Sequence, residues 1–381
     1  MSEPSQPRPA TRAIHLGQRY KGETGAVMPP PWLTSTFAHG NPAGFDYTRS
    51  GNPSFQNLEE VVASLESASH ATAFASGVSA ITAIVSTLKS GDLVLAEENI
   101  YGCTYRLFAQ VFAKFGVQVE YLNFAHEGTW QAISEKNPAL VWIETPTNPL
   151  LKIIDIAGVA SVCHEAGAPL VVDNTFASSL LQRPLELGAT LSLLSLTKYT
   201  NGHSDALGGA VATHDPEWNE KLLFSQKALG LQPAPFDCWL IQRGARTEAL
   251  RMKAHSENAL SLARYLESDL QAPLVRYPFL ESHPQHALAE RQMTGGSGIV
   301  IADFGLPLEE TLERAKALRW FTLAESLGGI ESLICHPASM THASVPKAVR
   351  EKVGITDSLI RFSVGIEAME DLLEDVAQAF A

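Results

Sequence analysis

Asp173 and Lys198 stand where apolar runs meet polar turns. Asp173 ends Pro169-Leu170-Val171-Val172, and Lys198 follows Leu191-Ser192-Leu193-Leu194-Ser195-Leu196-Thr197. Short apolar runs of this kind read as buried parallel strands. In open α/β sheets, ligands sit beyond the carboxyl ends of the strands. A carboxylate and an amine delivered to that edge suit pyridoxal 5'-phosphate (PLP). The amine forms a Schiff base with the aldehyde, and the acid keeps a proton on the pyridine nitrogen, so that the ring draws electrons. On spacing alone, a surface lysine and a strand-end acid are the simpler explanation; the surrounding residues favour the chemistry.

Ser76-Gly77-Val78 lies between an apolar strand pattern and an apolar helix pattern. Glycine permits close backbone approach, and a helix N-terminus offers free N–H groups, which together suit a phosphate. A packing glycine is the commoner explanation of so short a motif. It is not a Walker loop, because no Gly-Lys-Ser/Thr follows. The hydroxyls of Ser195 and Thr197 suit the same phosphate or cap a strand end. Asn148, in Glu144-Thr145-Pro146-Thr147-Asn148-Pro149, follows another strand, and its amide suits the ring hydroxyl or simply a turn. Tyr101 follows strand pattern 93–96, where an aromatic stacks on a flat ring or plugs a core edge.

Strand and helix patterns alternate from residue 57 to about 195. Strands are expected at 71–75, 93–96, 118–122, 139–143, 170–172 and 191–195. Helices are expected at 57–65, 77–88, 105–115 and 156–166. Such alternation predicts a mostly parallel sheet with helices on both faces. Near Pro233-Ala234-Pro235 the alternation stops. A long helical pattern follows from about Leu240 to Ser268, then strand 298–304, helix 308–320 and strand 360–364. The chain therefore divides into an extended arm (1–56, its first twelve residues Pro-rich and mobile), an α/β domain (57–238) and a smaller α+β domain (239–381). No internal repeat or low-complexity tract interrupts it.

At 381 residues and 45% hydrophobic, the chain buries roughly 75% of its unfolded surface and is long enough for two domains. A net charge of −13 with no basic stripe argues against nucleic acid or an anionic membrane as partner. The N-terminus carries no apolar signal region, and no run is long enough to cross a bilayer. Cys103, Cys163, Cys238 and Cys335 form no CxxC spacing, which suits a reducing, cytoplasmic setting. The scattered histidines predict no metal.

Seven ordered stretches resemble the PLP-dependent Cys/Met metabolism (trans-sulfuration) family, in its cystathionine-metabolising branch. They are Tyr47-Thr48-Arg49-Ser50-Gly51-Asn52-Pro53, Tyr101-Gly102-Cys103-Thr104-Tyr105-Arg106, residues 144–149, residues 172–175, Ser195 through Asp205, Glu325-Ser326-Leu327-Gly328-Gly329 and Arg361-Phe362-Ser363-Val364-Gly365. The resemblance runs from about residue 12 to the C-terminus. It implies the PLP-dependent transferase-like fold (fold type I), with a large, mostly parallel sheet domain and a smaller C-terminal α+β domain. Lys198 and Tyr101 become the candidate catalytic residues, Tyr101 by stacking on the ring. Asp173 pairs with the pyridine nitrogen. Ser76, Gly77, Val78, Ser195 and Thr197 hold the phosphate, joined from a neighbouring subunit by Tyr47 and Arg49. The resemblance thus implies a homotetramer, a dimer of dimers with shared sites. Arg361 binds the substrate α-carboxylate through its planar fork, assisted by Asn148 and the Ser326 backbone. Asp46, Arg106 and Glu325 grip the substrate's distal groups.

Within the branch, Arg106 speaks against a methionine γ-lyase, whereas Cys103 is a feature such enzymes carry. Aliphatic Leu327 favours γ- over β-chemistry. The expected reaction is γ-elimination of cystathionine to cysteine, 2-oxobutanoate and ammonia, with some β-elimination. γ-Replacement on an acylhomoserine is the alternative, followed by β-elimination or methionine cleavage as the main activity.

Overall fold

The computed structural model describes residues 7–20, 24–343 and 347–380. Seven strands pair into one sheet: β1 (His70–Phe74), β2 (Leu93–Glu97), β3 (Gln118–Leu122), β4 (Leu140–Glu144), β5 (Leu170–Asp173), β6 (Leu191–Leu194) and β7 (Gly209–Thr213), in the order β1-β7-β6-β5-β4-β2-β3. All neighbours are parallel except β7, which runs antiparallel to both β1 and β6. Strands β4 to β7 are buried along their whole length, as expected where helices cover both faces. The pleat sorts their side chains. Val94, Ala96, Trp142 and Val171 pack on one face with Ile81 and Ile84 of helix Gly77–Val85. Leu95, Val141, Ile143 and Val172 pack on the other with Ile156 and Val159 of helix Ile156–Ala166.

A second sheet contains β8 (Leu274–Arg276), β9 (Ile299–Asp303), β10 (Thr322–Leu323), β11 (Leu333–Cys335) and β12 (Leu359–Ser363), in the order β10-β11-β12-β9-β8. Helix Glu248–Ser268 presents Ala259, Leu262, Ala263 and Leu266 to it, a helical stripe of i, i+3, i+4, i+7 spacing. Helix Met369–Phe380 adds Leu372 and Val376 to the same core. Between the sheets, Phe176, Tyr199 and Met252 pack against Ile299, Ile301, Leu327 and Leu359. That seam places the residue next to Lys198 in contact with the second sheet.

Local chemistry sets the helix starts that matter here. The Asn52 side chain accepts from Ser54 N–H at 2.8 Å, ahead of Pro53 at the first helical position. Ser76 Oγ accepts from Ser79 N–H at 3.1 Å and caps helix Gly77–Val85. Asp155 Oδ1 accepts from Gly158 N–H at 3.0 Å and caps helix Ile156–Ala166. Each removes one of the orphan donors of a first turn.

Several expectations change. The long pattern from Leu240 to Ser268 is two helices, Pro235–Ala245 and Glu248–Ser268. At this break Gly244 lies against the backbone of Asn201 and leaves no room for a Cβ beside the Asn201 carbonyl oxygen. Arg251 straps the bend: Nη1 donates to Tyr199 O at 2.6 Å and Nη2 to Gly244 O at 2.8 Å. Its guanidinium also fills the space a side chain at Gly202 would need. The division expected at 238/239 falls inside helix Pro235–Ala245, whose Cys238 and Ile241 pack with Phe55, Leu58 and Val62.

The helix expected over 105–115 is a short α-turn Gly102–Arg106, a π-turn Leu107–Val111 and a 3-10 turn Phe112–Phe115. The widened turn lets Phe108 and Phe112 both enter the core while Tyr105 and Leu107 pack at its edge. Strand β7, made of small residues, and helix Pro216–Leu229 carry too weak a pattern to be predicted. Residues 1–6 of the stretch expected to be mobile lie outside the described residues. Beyond them Pro9–His15 is helical, and Arg12 Nη1 donates to Ser64 O at 2.6 Å. From residue 24 to Asn52 the arm has little regular structure beyond the 3-10 turn Thr48–Ser50 and is tied to its own chain, with Trp32 N–H donating to Ser54 Oγ and Trp239 Nε1 to Pro29 O.

Candidate active site

Strands β4, β5 and β6 end side by side, with Glu144 opposite Asp173 and Asp173 opposite Leu193 in register. Beyond those ends lies a cavity of about 460 Å³. Its walls bring together Ser76, Gly77, Val78, Tyr101, Asn148, Asp173, Ser195, Thr197 and Lys198, and from the second half of the chain Glu325, Ser326 and Arg361. Arg106 lines it too. Asp46, Tyr47 and Arg49 do not: all three are exposed on the arm. Arg49 lies over the Tyr47 ring at 5.6 Å and donates to Lys227 O at 3.3 Å.

Lys198 follows the end of β6, and its Nζ donates to Ser326 Oγ at 2.8 Å. Burial, then the positive charge of Arg361, lowers this amine from 10.5 to about 8. A larger share of it is therefore uncharged near neutrality than of an exposed lysine. Ser326 itself has a φ of +96°, an uncommon conformation for a residue with a side chain.

Asp173 is buried at the cavity wall, 5% exposed. Its Oδ1 accepts from Thr175 N–H at 3.1 Å, and among the described residues no cation forms an ion pair with it. Burial raises it from 3.8 to about 6, with the Thr175 bonds opposing. Beside it, burial and then Asp173 hold Glu144 well above the usual carboxylate range, while amide donors from Tyr101 and Asn148 oppose the rise.

At the opposite wall Arg361, on β12, is 2% exposed. Nη1 donates to Asn148 Oδ1 at 3.1 Å and Nη2 to Ser326 O at 2.8 Å. Its Nε has no partner, and no carboxylate pairs with it among the described residues. A buried guanidinium without an anion is costly and marks a place for one. Toward the mouth, Arg106 Nη2 donates to Cys103 Sγ at 2.6 Å, a contact that raises the arginine. Burial, then the contact with Cys103, raises the Tyr101 phenol above its ordinary value. Leu207, 59% exposed, lines the open side.

The Ser76–Val78 turn fits a phosphate. A Cβ on Gly77 would lie 3.0 Å from the Ser195 Cβ, so glycine lets the helix start approach the Ser195 strand end. Ser79 N–H is taken by Ser76 Oγ, whereas the N–H groups of Gly77 and Val78 have no acceptor within their own helix. Ser195 N–H donates to Thr175 Oγ1 at 2.9 Å, which leaves its hydroxyl at the cavity. Thr197 Oγ1 accepts from Gly208 N–H at 3.0 Å, a strand-end bond of the kind that the simpler reading of its sequence anticipates.

Sequence reasoning gave no role to Glu144, Thr175, Phe176, Met340 or Thr341, all of which line the cavity. Glu144 ends an apolar strand just as Asp173 does, so the same signal was available for it. Met340 and Thr341 come from a turn with no motif. Among the described residues no group of three or more His, Cys, Asp or Glu side chains could hold a metal ion. No described helix is long and apolar enough to cross a membrane.

A doubly covered sheet with an amine and a carboxylate at its carboxyl edge, faced by an arginine that has no carboxylate partner among the described residues, defines a PLP-dependent enzyme of fold type I. The chain belongs to the Cys/Met metabolism PLP-dependent enzymes, whose family model matches residues 10–381. It is 45% identical over 383 residues to a cystathionine gamma-lyase of Dictyostelium discoideum, covering 100% of this chain and 99% of that one. It is also 45% identical to a cystathionine beta-lyase of Coxiella burnetii, with 97% of each chain covered. The crystal structure of a cystathionine gamma synthase from Xanthomonas oryzae pv. oryzae, in complex with cystathionine, is similar at a TM-score of 0.95 and 41% identity, covering 99% of this chain and 98% of that one. The cavity fits the family's cofactor: a helix start for phosphate, a buried unpaired carboxylate for a pyridinium, and an amine of lowered basicity.

Proposed function

We propose that the protein cleaves L-cystathionine by γ-elimination to cysteine, 2-oxobutanoate and ammonia, with β-elimination as a side activity. The observation that carries this reading is the buried, anion-free guanidinium of Arg361 across the cavity from Lys198 and Asp173. It supports an amino-acid substrate held by its α-carboxylate next to a PLP site. Bound PLP withdraws electrons from the substrate's α-carbon. The protein supplies the rest.

Lys198 binds the cofactor and then moves protons, first from Cα and then from Cβ, before the sulfur at Cγ leaves. Ser326 Oγ holds its Nζ between transfers. Asp173 keeps the pyridine nitrogen protonated through a charge-assisted bond. Ser76, Gly77, Val78, Ser195 and Thr197 bind the phosphate, and Tyr101 stacks on the ring. Arg361 and Asn148 orient the α-carboxylate. Arg106 and Glu325, at the mouth, take the distal carboxylate and ammonium of cystathionine, with Asp46.

Tyr47 and Arg49 reach the phosphate of a neighbouring copy. Their exposure on the arm, with the open side of the cavity at exposed Leu207, supports a paired site. The assembly is a homotetramer, a dimer of dimers. Four free cysteines are in keeping with a cytoplasmic enzyme.

Incubation with cystathionine alone, then with O-succinylhomoserine plus cysteine, tests the reaction. Cysteine and 2-oxobutanoate as main products are expected. Net cystathionine formation far faster than its breakdown would establish γ-replacement, and homocysteine with pyruvate would establish β-elimination. Borohydride reduction should fix the cofactor on the peptide containing Lys198.

A further inference from the structure

Glu144 is 4% exposed and lines the cavity at the end of β4. Its two oxygens are divided between two loops: Oε2 accepts from Tyr101 N–H at 2.7 Å and Oε1 from Asn148 N–H at 3.0 Å. Tyr101 begins the turn Gly102–Arg106. Asn148, in turn, accepts from Arg361 on the second sheet. No cation pairs with Glu144 among the described residues, and Asp173 sits opposite it in register. A carboxyl group kept in so dry a place, beside a second buried acid, needs a reason. The two amide donors give one. A carboxylate offers two acceptor oxygens, whereas a glutamine at the same place offers one oxygen and sets an NH2 against the other N–H.

We propose that Glu144 is a positioning residue that fixes Tyr101 over the cofactor ring and Asn148 against the substrate carboxylate from a single buried side chain. This rests on the PLP and substrate reading above. One carboxylate makes the two binding events share an anchor, so that loosening it weakens both together. A merely structural strand-end cap would lower stability and leave both affinities alone.

The test compares holoenzyme of Glu144→Gln and Glu144→Asp with wild type. It measures PLP affinity by fluorescence titration of resolved protein, the visible absorption band of the bound cofactor, and KM and kcat for cystathionine. The loss of one charge-assisted hydrogen bond corresponds to roughly a tenfold weakening. For Glu144→Gln we expect about tenfold rises in both the PLP Kd and KM, a shifted band, and kcat changed by less than about threefold. Glu144→Asp keeps both acceptors on a shorter stem and should show smaller rises in the same two quantities. Wild-type Kd and KM in Glu144→Gln overturn the proposal whatever its melting temperature. If that variant does not fold, unchanged Kd and KM in Glu144→Asp do the same. Wild-type protein that takes up no PLP overturns the functional reading itself, a distinct result.

Discussion

At one end of the cavity, Asp173, Ser195 and Lys198 hang from the ends of two adjacent strands of one sheet, β5 and β6. At the other, Arg361 comes from a strand of the second sheet, and Asn148 and Ser326 come from two connecting loops, one in each half of the chain. Among the described residues, the carboxylate at the first end has no cation paired with it and the guanidinium at the second has no anion. Each charge is buried at a cost to the fold, and they do not neutralise each other. The difference teaches that the Asp173 end is organised by local strand geometry, whereas the Arg361 end exists only if both halves of the chain close on each other. Damage to the first should abolish chemistry; damage to the second should spare the cofactor and cost substrate affinity.

The sharpest contrast lies at Lys198. Replacing it by alanine should reduce turnover by about 10³-fold or more, within the range for loss of a positioned proton-transfer group. Single-turnover assays with added amines check this, because a small amine should restore part of the rate. Arg361→Ala should raise KM for cystathionine about a hundredfold, the loss of a bidentate charge-assisted contact, while the cofactor spectrum stays as in wild type. A collapsed spectrum would break the separation between the two ends.

Asp173→Asn should weaken PLP binding yet stabilise the cofactor-free protein. The sign follows from burial. An acid held at about 6 in the fold and near 3.8 outside it binds more protons when folded between those values. Its contribution is therefore unfavourable above about pH 6 and vanishes below about pH 4. Thermal melts of the cofactor-free variant should gain on wild type from pH 4 to pH 6 and then level off, by roughly 1–3 kcal/mol. The smallest effect belongs to the mouth. Arg106→Ala should raise KM for cystathionine roughly tenfold and that for shorter amino acids far less; equal rises would remove Arg106 from the distal grip.

The same contrast explains what could be read in advance. Asp173 and Lys198 were legible because an apolar run ending in a charge is a local signal, and the parallel sheet follows from alternation along residues 70–195. Arg361 was legible only through resemblance. Taken singly it reads as a surface charge, because its burial depends on Asn148, 213 positions away. Strand β7 escaped because Gly-Ala-Val-Ala-Thr has little pattern to offer, and its antiparallel pairing with β1 and β6 is a long-range matter. Glu144 carries the same strand-end signal as Asp173, but its role was not legible because its partners are backbone amides, which leave no trace in side-chain chemistry.

The strap at Arg251 has an implication for how this region can vary. Because its guanidinium occupies the volume beside Gly202 while gripping the carbonyl that follows Lys198, positions 202 and 251 are not independent. A bulkier residue at 202 meets both this guanidinium and a left-handed backbone (φ +70°) that favours glycine, so shrinking 251 removes only one of the two obstacles, and shrinking 251 alone frees the segment that carries the reactive amine. Glycine at 202 is therefore held twice over, by its backbone conformation and by the arginine that fills the space beside it.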